Sequence, residues 1–73
     1  MIRFSPNPNR ANLIHWHEWG DAAFRQAQEQ DKPLMLFLTA FWCRFCQRMD
    51  EDAFSDNENI ALLNAYFIAI RAE

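Results

Sequence analysis

The sequence predicts an α/β fold built on a strand–helix–strand unit, and three observations carry that expectation. Leu34-Met-Leu-Phe-Leu38 is an unbroken apolar run, the pattern of a strand buried on both faces. Tyr66-Phe-Ile-Ala-Ile70 is a second such run. The residues between them are good helix formers, and a strand–helix–strand crossover is parallel and right-handed by strong preference.

Each element can be justified in order. From Met1 to about Asn12 the chain is punctuated by Pro6 and Pro8, which fix φ and push their predecessors to extended geometry, so residues 1–12 read as an arm. A cluster of aromatic and polar residues follows, His15-Trp-His-Glu-Trp19. Asp21 is the candidate N-cap of a helix running to about Gln30, with Trp19, Ala23, Phe24 and Ala27 toward one side. Asp31, Lys32 and Pro33 close it before the first strand. A helix follows Cys43, and Asp50-Glu-Asp52 reads as a solvated acidic face on which it bends or ends before Phe54. Ser55 or Asp56 can cap a further helix that turns Ile60, Leu62 and Leu63 toward the core.

Composition excludes several classes. Half the residues are hydrophobic and only one is Gly, which argues against disorder. The formal charge of −3 leaves no basic patch for nucleic acid. No apolar stretch approaches the roughly 20 residues a bilayer span needs. The N-terminus lacks the apolar segment of a signal peptide, so a cytoplasmic setting is expected. Two cysteines cannot staple a secreted mini-protein.

Those cysteines carry the chemistry. Cys43-Arg44-Phe45-Cys46 sits where a strand hands over to a helix. Unpaired N–H groups at a helix start favour thiolate over thiol, and Arg44 adds a full positive charge nearby. Two intervening residues let the second sulfur reach the first, so a mixed disulfide can be resolved within the chain. Cys43, at the exposed helix end, is the candidate nucleophile and Cys46 the resolving thiol. A structural zinc site would need four ligands, and there is no second Cys pair. His15-x-His17-Glu18 admits a metal reading, but as polar positions among Trp16 and Trp19 these residues more simply pack the segment onto the core.

Phe41-Trp42-Cys43-Arg44-Phe45-Cys46, following Leu34–Leu38 and preceding a helix, resembles the thioredoxin superfamily. The wider string Asn12-Leu-Ile-His-Trp-His-Glu-Trp-Gly20, with Ala23-Phe24, Asp31-Lys-Pro33, Met49, Leu62-Leu-Asn64 and Phe67, resembles one branch of it. That branch is the N-terminal thioredoxin-like domain of the spermatogenesis-associated, largely uncharacterised family. The resemblance implies a partial thioredoxin-like domain over residues 13–73: the N-terminal βαβ portion with a preceding helix, its C-terminal β-hairpin and helix missing. It also implies that Cys43 and Cys46 are the redox pair, with Trp42, Arg44 and Phe45 in support. Two departures stand out: Phe45 replaces the proline many thioredoxins carry before the second cysteine, and Phe37 replaces their buried acid.

The expected function is a thiol–disulfide oxidoreductase module acting on protein or small-molecule disulfides, recharged by a thiol reductant and needing no cofactor. The alternative is a non-catalytic thioredoxin-like module that binds or positions another domain, its Cys pair vestigial or structural. Neither nucleic acid nor membrane is an expected partner. A homo-oligomer is expected, joined through the second strand and the face left bare, because an open apolar edge invites strand addition.

Overall fold

The structure, a computed structural model, describes residues 2–40 and 42–73. Phe41, which opens the motif quoted above, lies outside them. Three parallel strands form the sheet: β1 (Trp16–His17), β2 (Leu34–Leu38) and β3 (Ile68–Ala72), in the order β1-β3-β2. Helix α1 (Asp21–Gln30) joins β1 to β2; α2 (Arg44–Glu51) and α3 (Asn57–Tyr66) join β2 to β3. The α/β class is as the sequence predicts.

Register fixes which residues share a face. Leu34 lies beside Ile68, Leu36 beside Ile70 and Leu38 beside Ala72. Because strand side chains alternate, this set faces one way, while Met35 and Phe37 face the other with Ala69 and Arg71. On the first face Ala23 and Ala27 of α1 pack on Ile68 and Ile70, small residues letting helix and sheet approach closely. On the second face Phe54 and Ile60 gather with Ile14, Ala11 and Ala69. Trp16, Phe37 and Phe54 make edge-on or tilted ring contacts there, with centroids 4.9–6.2 Å apart. The Trp16 indole N–H donates to the Ala11 carbonyl at 2.9 Å, so its polar edge is satisfied inside the cluster.

Helix ends follow the local chemistry. Asp56 caps α3, its Oδ1 accepting from the amides of Glu58 and Asn59 at 2.9 and 3.2 Å. Asp31 ends α1 in the left-handed conformation that Asp tolerates, φ 52°, and the Lys32 amide returns to the Ala27 carbonyl at 3.0 Å. No helix among the described residues is long and apolar enough to cross a membrane.

The structure corrects several expectations. Gly20, not Asp21, is the N-cap of α1; Asp21 is its first residue. The second strand lies two residues later than its apolar run: Tyr66 ends α3, and the strand continues through Arg71 because that charge is paired internally. A third strand forms at Trp16–His17, within the aromatic cluster. β2 is an edge strand and not buried on both faces: Leu34, Leu36 and Leu38 are exposed, the last by 66%. β3, expected to offer the oligomer edge, is paired on both sides, so the open edges belong to β2 and the two-residue β1. Trp19 is 61% exposed and packs edge-on against Phe24 at 5.3 Å, outside the core. Of the acidic run, Asp50 is only 1% exposed and Glu51 half-buried, so the solvated face is confined to Asp52.

Candidate redox site at the start of α2

Past Leu38 the chain stays tied to the sheet through the Thr39 amide, which donates to the Ala72 carbonyl at 2.8 Å. A turn then closes from the Cys43 amide to the Ala40 carbonyl at 3.0 Å. This delivers Cys43 in extended geometry as the N-cap of α2, its carbonyl already accepting from the Gln47 amide at 3.1 Å. The cap is a sulfur. Cys43 Sγ accepts the Cys46 amide at 3.1 Å, so one of the unpaired donors at the helix start points at it.

Cys43 and Cys46 form a disulfide, their Cα atoms 5.3 Å apart. The two sulfurs differ in surroundings. Cys43 is half-buried, while Cys46 is 6% exposed with its Sγ 3.7 Å from the Leu38 carbonyl. Arg44 is exposed beside them, and Trp42 and Phe45 stand in solvent at 74% and 70% exposure. All five residues singled out in the sequence therefore sit at one end of one helix.

The other end of α2 holds a cluster that sequence reasoning missed. Asp50 Oδ2 accepts from Arg71 Nη2 at 2.6 Å and from the Ser5 amide at 2.9 Å. Arg71 is also buried, its guanidinium 4.6 Å from the centroid of Phe4, 5.1 Å from Trp16 and 5.3 Å from Phe37. A delocalised guanidinium is the cation best suited to such a site, because it stacks on rings while pairing with a carboxylate. Next to it Glu51 accepts from Ser5 Oγ at 2.5 Å and from Asn7 Nδ2 at 3.0 Å. Those two bonds, Ser5 first, hold its carboxyl below the usual value of 4.5, with a smaller contribution from Arg48. One signal was available: Cys46, Met49 and Asp50 fall at i, i+3 and i+4, so an acid at 50 shares the inward face of the helix with the second cysteine.

Comparison with known proteins places this arrangement. The family model Thioredox_DsbH, described as "Protein of unknown function, DUF255", matches residues 7–73. The chain belongs to this family. Its Thioredox_DsbH match takes in both ends of α2, and the observed sheet is accordingly part of a thioredoxin-like α/β fold. Among curated proteins, spermatogenesis-associated protein 20 of Mus musculus is 34% identical over 62 residues, 85% of this chain. The Homo sapiens protein of the same name is 31% identical over the same length, and uncharacterized protein B0495.5 of Caenorhabditis elegans is 32% identical. The chain spans about 8% of the length of each of these relatives.

Proposed function

We propose that the chain is a thiol–disulfide oxidoreductase module. The observation that carries this reading is the asymmetry of the pair: a half-exposed Cys43 capping α2 with an amide aimed at its sulfur, and an enclosed Cys46 one turn behind. In the reduced state the helix start and Arg44 favour the Cys43 thiolate. That thiolate attacks one sulfur of a substrate disulfide, forming a Cys43–substrate bond and expelling the other sulfur as thiolate. Cys46, as thiolate, then attacks Cys43 Sγ. The mixed disulfide breaks, the second substrate sulfur leaves, and the Cys43–Cys46 bond closes. Two electrons pass from the pair to the substrate, the protons released by the two cysteines balance those taken up by the two product thiols, and a thiol reductant reopens the pair. No other cofactor is required.

Trp42 and Phe45, exposed and within two residues of Cys43 in the chain, offer an apolar landing for a protein disulfide. Self-association, where it occurs, uses the open β2 edge with Leu34, Leu36 and Leu38. Sedimentation equilibrium of Leu36→Lys against wild type reads this out, and equal association of the two removes β2 from the interface.

Trapping tests the chemistry. Cys46→Ser should accumulate a mixed disulfide with a protein substrate through Cys43, and Cys43→Ser should accumulate none and reduce nothing. Equal trapping by both variants, or by neither, contradicts the proposal.

A further inference from the structure

The arm at Arg3–Ser5 is held through its main chain. Arg71 Nε donates to the Arg3 carbonyl at 2.9 Å, and Asp50 Oδ2 accepts from the Ser5 amide at 2.9 Å. One buried ion pair thus reads a carbonyl and the amide two residues on, as the edge of a sheet reads an added strand. Between those contacts the Phe4 ring lies over the Arg71 guanidinium. The arm, residues 3–6, forms one wall of a cavity of about 170 Å³ whose other walls are Thr39, Ala40, Gln47, Asp50, Arg71 and Glu73. Asp50 Oδ1 and Arg71 Nη1 are buried and have no partner among the described residues. The pair thus uses Oδ2, Nη2 and Nε and leaves one oxygen and one nitrogen buried without a bond to described residues, which is costly unless something else completes them.

We infer that this corner is a peptide-docking groove, occupied in cis by Arg3–Ser5 and open to an extended segment of another protein that carries an aromatic residue between the two main-chain contacts. The free acceptor Oδ1 and donor Nη1 suit a further peptide unit, which offers one N–H and one C=O. Glu51, already accepting from Ser5 Oγ and Asn7 Nδ2, favours hydroxyl or amide side chains after the aromatic residue and disfavours acidic ones. Thr39 and Ala40 lie before the Cys pair in the chain and Gln47 directly after it, so the groove draws its walls from both sides of the pair in sequence. The inference goes beyond the redox reading and does not depend on it, because its readout is binding.

The probe is a fluorescein-labelled peptide with the sequence of residues 2–7, Ile-Arg-Phe-Ser-Pro-Asn. A tethered arm competes at high effective concentration, so Phe4→Ala, which loosens it, should bind the peptide about tenfold more tightly than wild type by anisotropy. Methylating the peptide's Ser amide, or replacing its Phe with Ala, should each remove most of that binding. A folded Phe4→Ala that binds no peptide overturns the inference, as does binding indifferent to the methyl group. Where Phe4→Ala does not fold, wild type decides: excess peptide should speed hydrogen exchange at the Ser5 amide, and unchanged exchange overturns the inference equally.

Discussion

The two ends of α2 are built on opposite principles. At its start the hydrogen bonds of Cys43 to described residues are local, to Ala40, Cys46 and Gln47, and Trp42 and Phe45 stand exposed beside the buried Cys46. At its finish the side-chain carboxylates reach far along the sequence: Asp50 accepts from Ser5 and Arg71, and Glu51 from Ser5 and Asn7, while the Asp50 carbonyl accepts locally from Ser55 Oγ. The lesson is a division of labour. A base locked by long-range bonds lets a sulfur stay accessible at the tip without the helix fraying, which suits a site that must be both placed and reachable.

Breaking the base should have the largest effect. Asp50→Ala leaves the Arg71 charge buried and uncompensated, a change that costs about 3–5 kcal/mol. For a chain of this size that is much of the roughly 4–11 kcal/mol available, and urea unfolding will read it. Trp16→Ala comes next at about 3 kcal/mol, since the ring packs on Phe54, Phe37 and Arg71. Trp42→Ala, at the tip, should change stability by less than about 0.5 kcal/mol while weakening reduction of protein disulfides. Similar unfolding midpoints for the Trp16 and Trp42 variants would dissolve the contrast between the ends.

Acid provides a gentler break. Glu51 has a lowered folded-state value, so its contribution is present above the unfolded carboxylate range and is lost as pH falls through the folded value. The arm should therefore loosen below pH 4.5, seen as a lower protection factor at the Ser5 amide once the intrinsic exchange rate at each pH is divided out, and Glu51→Gln should flatten that profile. The smallest expected effect is at the tip. Arg44→Glu should raise the pH at which Cys43 reaches half-maximal alkylation and leave Cys46 unmoved, because the exposed charge acts through solvent.

Local signals in the sequence were legible and distant ones were not. The extent of α1 to within a residue, the bounds of β2, a cap at Ser55 or Asp56 and the place of the cysteines before a helix all follow from neighbours in the chain. β1 has only two residues, too few to show a period, so Trp16–His17 read as a packed arm. Arg71 fell outside the apolar run Tyr66–Ile70 because the partners that let it continue the strand are distant, Asp50 21 residues away and the rings of Phe4, Trp16 and Phe37. The same separation hid Asp50, which looked like one acid in a row of three. Trp19 misled in the other direction: its place on the helical stripe suggested the core, yet the ring lies with Phe24 outside it.

The central claim is that the tip of α2 carries a working dithiol, and a redox titration with thiol trapping tests it most directly. The chain is equilibrated in buffers of graded thiol–disulfide ratio, quenched and alkylated, and the fraction of Cys43 and Cys46 modified is counted by mass. The account predicts one reversible two-electron transition with a midpoint between about −270 and −120 mV, the range of established oxidoreductases. A pair that stays reduced at every ratio, or that never becomes accessible to alkylation, contradicts it.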